Sequence, residues 1–331
     1  MTTHTFRAFR IHQAERGIVP RLETISLDDL AAGELVIQVR YSTINYKDAL
    51  AATGKGKILR KFPLVGGIDL AGEIVESSDP TFAVGTRVLV NGCGLSETHD
   101  GGYAQFARIP SAWAVPIPAA LDEFQCMAIG TAGFTAALAI HRMEENGQTP
   151  DAGEIVVTGA TGGVGSLAID MLAARSYRAV AVTGKAQSAD YLRALGAARV
   201  LARQEIDLGS RPLEAARWAG AIDNVGGDLL AWLIRSTDLN GNIASIGMAA
   251  STELKTTVLP FILRGINLLG INSVYTPRAV RLRVWERLAA DLRPRHLDKI
   301  VTRVIELNDL PHAFDGYIDA NVIGRTVVRI A

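Results

Sequence analysis

The chain has 331 residues, and its 34 Lys and Arg are matched by 34 Asp and Glu, giving a formal net charge of zero. That length predicts two domains, because single cores usually stop growing well below it. The charge balance argues against a general nucleic-acid binder, and the 48% hydrophobic content with 32 Gly suits an α/β enzyme better than a disordered chain. The two cysteines, Cys93 and Cys126, cannot build a disulfide framework, so a reducing, cytoplasmic setting is expected. Met1 to Arg10 lacks a signal-type apolar run, and no stretch reaches the roughly 18 consecutive apolar residues of a membrane span. Neither a nucleic acid nor a membrane is an expected partner.

In chain order, the first part reads as β-rich. Leu35 to Tyr41, Asp69 to Glu76 and Thr86 to Val90 are Val/Ile-rich runs. Pro63, Gly66, Gly67, Gly85, Gly92 and Gly94 punctuate them, as in a compact barrel-like or sandwich-like unit. Near residue 130 the texture changes. Ile155 to Thr158 predicts a strand, Val164 to Arg175 a helix, Ala179 to Val182 a strand, and Ala189 to Leu195 a helix stopped at Gly196. Ala221 to Asp223, Ile243 to Ile246 and Asn267 to Val274 predict further strands. This alternation calls for a parallel sheet covered by helices. Ala279 to Leu292 predicts a helix, and the strand-like pieces Ile300 to Ile305 and Thr326 to Ile330 suggest a tail that returns to the first domain.

The strongest local signal is Gly159-Ala160-Thr161-Gly162-Gly163-Val164-Gly165, placed between a predicted strand and a predicted helix. Glycines allow a sharp turn and a close backbone approach, so the free N–H groups and positive end of the helix meet a pyrophosphate. No Lys-Ser or Lys-Thr follows, which argues against a P-loop. An NADH site usually carries a carboxylate about 20 positions on. Here Thr183-Gly184-Lys185 stands at the next strand end, and no carboxylate occurs between Ala173 and Ala189. A hydroxyl and a cation suit a 2′-phosphate, which Arg203 after the third strand could also reach. That favours NADPH, the alternative being that Lys185 and Arg203 are solvated surface charges.

Of the six histidines, His4, His12, His99, His141, His296 and His312, none stands at zinc spacing from a cysteine. No metal is expected. His99, in the Gly-rich loop Gly92 to Gly102, reads as structural or exposed, the alternative being that it lines a pocket; Cys126 reads as a core residue preceding an apolar helix, and no serine has nucleophile-elbow context.

Several segments together resemble one family. They are Asn45-Tyr46-Lys47-Asp48-Ala49-Leu50, Gly54-Lys55-Gly56-Lys57, Gly67-Ile68-Asp69-Leu70-Ala71-Gly72, Gly130-Thr131-Ala132-Gly133-Phe134-Thr135-Ala136, Val157 to Gly165, Pro260 to Arg264 and Gly324 to Val328. The chain resembles zinc-free, quinone oxidoreductase-like members of the medium-chain dehydrogenase/reductase superfamily, with the NADPH-dependent acrylyl-CoA reductase subgroup as its nearest match. The resemblance implies an α/β fold: a GroES-like catalytic domain over residues 1–128, completed by 296–331, and a Rossmann NADPH-binding domain over 129–295, with the active site in a cleft. It also implies a homodimer. Asn45 stands where zinc relatives carry a catalytic cysteine, and Gly67-Ile68-Asp69 where they carry Gly-His-Glu.

By position, the resemblance implies Tyr46 as the active-site tyrosine, oriented with the cofactor by Asn45 and Asp48. It implies cofactor contacts from Tyr46, Thr131, Thr135, Ala160, Thr161, Gly162, Gly163, Val164, Gly165, Thr183, Gly184, Lys185, Arg203, Ser273, Asn321 and Arg325. Lys replaces the family's common Arg at position 185, a point charge in place of a planar fork. The implied reaction delivers hydride from NADPH to the β-carbon of acrylyl-CoA, a 2,3-unsaturated thioester, and a proton from Tyr46 or water to the α-carbon, giving propionyl-CoA. The developing oxyanion then needs a hydrogen-bond donor, and Tyr46 is one unless it only packs or stacks on the cofactor. Lys55, Lys57, Arg60 and Lys61 form a basic cluster for the phosphates of coenzyme A, or else a solvated loop. A quinone or enone reductase and a non-catalytic NADPH-binding protein are the competing readings.

Overall fold

The computed structural model describes residues 5–330, so His4 lies outside the described residues. The chain forms two compact units: residues 1–131, 274–282 and 301–331 in the first, and residues 132–273 and 283–300 in the second.

The first unit is built on a mixed seven-stranded sheet around Leu35–Ile44. That strand pairs antiparallel with Asp69–Ser77 on one side. On the other it meets Phe106–Ile109 along its first half and Arg325–Arg329 along its second. The C-terminal strands therefore lie in this sheet, Val301–Glu306 parallel to Arg325–Arg329. Neighbours on both edges explain why seven of the ten residues of Leu35–Ile44 are apolar or β-branched and most are buried. A second, three-stranded sheet joins the hairpin Thr5–Ala14/Gly17–Ser26 to Leu64–Val65. Phe9, Tyr103 and Phe314 pack between these layers with ring centroids 5.6–6.3 Å apart. The helix α1 (Tyr46–Thr53) follows the central strand directly and ends at Gly54, whose left-handed φ of 69° closes the helix.

A long helix, α2 (Glu123–Glu145), is broken at Gly130, where φ is 51° and ψ is −160°. It is long and apolar enough to cross a membrane by length and composition, but 83% of its most apolar window is buried, as in a core helix. Cys126 lies inside it and not before it.

The second unit carries a six-stranded parallel sheet. Its spatial order is Arg199–Ala202, Arg178–Thr183, Glu154–Thr158, Trp218–Asp223, Thr237–Ser245 and Asn267–Gly270. In chain order this is 3-2-1-4-5-6, the Rossmann arrangement, with its switch point at Glu154–Thr158. The helix α3 (Gly163–Ala174) follows that strand, α4 (Ala189–Ala194) connects the second to the third, and α5 (Gly227–Ser236) follows the fourth. The strand predicted over Asn267 to Val274 stops at Gly270, and the helix predicted over Ala279 to Leu292 runs over Arg278–Leu288.

Candidate active site

Within the second unit, the glycine loop lies at the carboxyl end of the strand Glu154–Thr158, where doubly wound sheets place their ligands. Gly159 turns the chain with φ 59°. Gly162 N donates to Gly159 O at 3.0 Å, and Ser166 N to Gly162 O at 2.9 Å, so α3 starts inside the loop. A Cβ on Gly165 would sit 2.5 Å from Gly159 O and 2.7 Å from Ala160 Cα. The loop and first helical turn can therefore pack only through glycine, which is the cradle a pyrophosphate requires.

A second segment supports this loop. Asp223 Oδ1 accepts from the Thr158 hydroxyl at 2.6 Å, and Asn224 Nδ2 donates to Thr158 O at 2.7 Å. The Asn224 Oδ1 atom is buried without a hydrogen-bond partner among the described residues. Asn224 Cβ lies 3.3 Å from the site of a Cβ on Gly159, which sets this side chain beside the loop. Burial pushes the Asp223 carboxyl above its usual range, against the hydrogen bonds that hold it charged.

At the neighbouring strand end, the Thr183 hydroxyl accepts from Lys185 N at 2.9 Å. Thr183 is buried, Lys185 half-buried and Gly184 exposed. Burial holds the Lys185 ammonium below its ordinary value, a penalty that a nearby anion would offset. The Arg203 guanidinium lies 3.7–3.9 Å from the site of a Cβ on Gly184. Thr183 and Ala202 are register partners, so adjacent strands bring Thr183, Lys185 and Arg203 to one place. Arg203 also lines a cavity of about 450 Å³ with Val225, Gly226, Leu229, Ser251 and Lys255. These residues fit a phosphorylated dinucleotide.

In the first unit, the sequence singled out Asn45, Asp48, Thr131 and Arg325, and the structure joins them through Asp69. Asn45 caps α1: Asp48 Oδ2 accepts from Asn45 N at 2.8 Å and from Asn45 Nδ2 at 3.1 Å. The same Nδ2 donates to Asp69 Oδ2 at 2.8 Å. Asp69 also accepts from Thr131 Oγ1 at 2.6 Å and from Thr131 N at 3.0 Å. Ile68 N donates to Asp48 Oδ1 at 2.9 Å. Arg325 donates to Asn45 Oδ1, Thr43 Oγ1, Ala128 O and Ile44 O at 2.7–3.3 Å. A Cβ on Gly130 would reach Arg325 Nη2 at 2.7 Å and Asp69 Oδ2 at 3.0 Å, which is why the break in α2 requires glycine.

Two buried carboxylates thus lie beside the buried Arg325 guanidinium, and Asp69 is also coupled to the buried Arg281. Burial, then the charge of Asp69, raises the Asp48 carboxyl to about 7, and burial likewise raises Asp69. Asp48 is 2% exposed and Arg325 2% exposed, so the structure places both inside the cluster, with their side chains spent on protein partners. Tyr46, the first residue of α1, is 50% exposed and points out of it. Lys55, Lys57, Arg60, Lys61 and Asn321 are exposed, Ser273 is half-buried, and Thr135 is buried in α2. Asp69 and Asn224 carry no isolated motif in the sequence. For Asp69, the signal was its position in Gly67-Ile68-Asp69.

Residues 31–119 match the alcohol dehydrogenase GroES-like domain and residues 163–290 the zinc-binding dehydrogenase family. An acrylyl-CoA reductase, AcuI of Ruegeria pomeroyi, is 46% identical over 93% of this chain and 94% of its own. The chain belongs to the medium-chain dehydrogenase/reductase superfamily. Within this superfamily it falls in the zinc-free, quinone oxidoreductase-like, AcuI-like branch, and it is an oxidoreductase with a GroES-like and a Rossmann unit. A Bacillus subtilis protein named "Putative quinone oxidoreductase YhfP" is 44% identical over 98% of this chain and 99% of its own. The structure of that protein with NAD bound matches with a TM-score of 0.95, over 99% of this chain and 100% of its own. The Salmonella enterica yhdH oxidoreductase in complex with NADP matches equally well, at TM-score 0.95 and 44% identity over 98% of this chain and 100% of its own. As a medium-chain dehydrogenase/reductase, the chain departs from the zinc-dependent members. Among the described residues no group of three or more His, Cys, Asp or Glu converges as metal ligands, so the residues present do not fit zinc. His99, the histidine of the glycine-rich 92–102 loop, directs its ring nitrogens at Asp100 O and Ala32 O, both at 3.1 Å.

Proposed function

We propose that this protein uses NADPH to reduce the 2,3-double bond of a small 2-enoyl-CoA thioester, acrylyl-CoA being the simplest. The observation that carries the cofactor choice is the strand end where Thr183, Lys185 and Arg203 meet without a carboxylate. A carboxylate there would repel a 2′-phosphate, whereas two cations and a hydroxyl bind it. Relatives are solved with NADP and with NAD, which supports taking these three side chains as the ones that set the preference. When bound, NADPH would supply the hydride that adds to the β-carbon, leaving as NADP+, and a proton taken up at the α-carbon would complete the saturated thioester.

The chain's own residues have three tasks. The loop Ala160, Thr161, Gly162, Gly163, Val164 and Gly165 orients the dinucleotide through backbone N–H groups. Tyr46 donates its phenolic proton in a hydrogen bond to the thioester oxygen as negative charge develops there. Asn45 and Asp48 are positioning residues: they fix the N-terminus of α1, from which Tyr46 projects. Thr131, Thr135, Ser273 and Asn321 complete the proposed cofactor set, and Arg325, whose guanidinium is spent on protein acceptors, holds Asn45 in place instead. Lys55, Lys57, Arg60 and Lys61 bind the phosphates of CoA. The identity to AcuI supports the thioester, and the identity to YhfP supports a quinone as the second reading.

A homodimer formed through the Rossmann units is part of the same reading. It is supported by the open edge at Asn267–Gly270 and by exposed Leu239, Val258, Ile262 and Leu263 in that unit. The free thiols of Cys93 and Cys126 fit a cytoplasmic setting.

The test is NADPH oxidation with acryloyl-CoA and with benzoquinone. The thioester is expected to be the better substrate by kcat/KM. Lys55→Ala/Lys57→Ala is expected to raise KM for the thioester about tenfold, as loss of charge-assisted phosphate contacts does, and to leave the quinone unchanged. Equal effects on the two substrates contradict the CoA assignment, and benzoquinone as the only substrate turned over favours the second reading.

A further inference from the structure

Between Asp48 and Asp69 the chain holds four cations, Lys55, Lys57, Arg60 and Lys61, and no carboxylate. All four are exposed, and none forms an ion pair among the described residues. The loop that carries them is nevertheless well fixed. Leu59 is buried in the core of the first unit, and Ile58 and Phe62 pack against that core. Gly56 N donates to Leu50 O at 3.2 Å, which ties the loop to the last turns of α1. A Cβ on Gly56 would approach Leu50 Cβ to 3.0 Å, so this contact is close. The apolar residues turn in and the cations turn out, giving one basic face on a held backbone.

Glu97 meets this loop and α1 from a third segment. Its carboxylate pairs with the Lys47 ammonium, and its main-chain oxygen accepts from Arg60 N at 2.7 Å. The Glu97 side chain is 12% exposed and that of Lys47 28%, so water screens the pair less than a surface pair. Lys47 is the residue after Tyr46. One acidic residue therefore fastens the helix that presents Tyr46 to the loop that presents the basic face.

We propose that Glu97 is a positioning residue that sets the distance between Tyr46 and the basic face, and so confers preference for substrates carrying a phosphorylated tail. The inference rests on the CoA reading above. A CoA thioester engages both ends at once, its acyl group at Tyr46 and its phosphates at the loop. A link between the two ends acts as a ruler for such a ligand, because the second contact becomes intramolecular once the first is made. A CoA-free enone touches only one end and does not sense the ruler. Pairing Lys47 with Glu97 also keeps that cation from competing with the loop for the phosphates.

The experiment compares acryloyl-CoA with 3-buten-2-one, in full-length protein with NADPH saturating. Glu97→Gln is expected to raise KM for acryloyl-CoA roughly fivefold, as loss of one partly buried ion pair does, while its kcat and both parameters for 3-buten-2-one stay within about twofold. The charge-swapped pair Lys47→Glu/Glu97→Lys restores the attraction and is expected to return KM for acryloyl-CoA toward the parent value, and the readout that a merely structural role would not move is the split between the two substrates. If Glu97→Gln does not fold, Lys47→Gln cuts the same pair from its more exposed side and carries the same expectation. An unchanged KM for acryloyl-CoA overturns the proposal, as does an equal loss on both substrates. If Lys55→Ala/Lys57→Ala also fails to separate the two substrates, it is the CoA reading that fails. If that variant separates them and Glu97→Gln does not, only the role of Glu97 falls.

Discussion

Asp69 accepts hydrogen bonds from both Asn45 and Thr131, so one buried carboxylate fixes the start of α1 and the residue after the Gly130 break. With Asp48 it places two buried acids beside the Arg325 guanidinium, and the buried Arg281 also feels the Asp69 charge. Burial penalises their charge, and the N–H and O–H donors around them favour it. The arrangement holds Asn45 rigidly while leaving Tyr46 half in solvent. Tyr46→Phe removes one donor and no buried contact. Turnover of acryloyl-CoA should fall about a hundredfold, the usual scale for an oxyanion donor. The melting temperature should stay unchanged, as for a surface substitution. Stopped-flow and calorimetric measurements check both; a fall in stability matching the fall in rate would make Tyr46 a packing residue. The sequence groups Asn45, Tyr46 and Asp48 in one motif, and the structure places all three at the start of α1. Asp69 lies 21 positions beyond Asp48, and only the pairing of Leu35–Ile44 with Asp69–Ser77 brings it back beside them.

Elements with strong periodicity or Gly/Pro borders were readable, and those whose stability comes from partners were not. The strands Glu154–Thr158 and Arg178–Thr183, buried on both faces, stand out as apolar runs. The hairpin Thr5–Ala14/Gly17–Ser26 escaped because its second strand is half-exposed along most of its length and so lacks a two-residue alternation. Its turn, Glu15-Arg16 before Gly17, also carries no Asn-Gly signal. α1, with eight residues, is too short to show a helical period, and α2 conceals its break because Gly130 reads as one small residue in an apolar run. The glycine loop was legible, and it yields an element-scale prediction. In an open helix Gly→Ala usually stabilises, by about 1 kcal/mol. At Gly165 the new Cβ meets backbone atoms at 2.5–2.7 Å, which cannot rotate away. Gly165→Ala should therefore destabilise, by about 1–3 kcal/mol in urea unfolding, and weaken NADPH binding at least tenfold. A stabilised variant with intact NADPH affinity would contradict the packing argument.

At the scale of the molecule, a sheet in 3-2-1-4-5-6 order supplies the dinucleotide loop. The other unit, whose sheet takes in the C-terminal strands, carries Tyr46 and the basic loop. The unit made of three chain segments was only partly legible, because the segment 274–282 belongs to it by packing and no local pattern marks it. The function rests on which nucleotide the Rossmann unit holds, and calorimetric titration with NADPH and NADH tests this most directly. NADPH should bind at least tenfold more tightly, and Lys185→Ala should remove most of that margin while leaving NADH unaffected. Equal affinities, or tighter binding of NADH, would contradict the account.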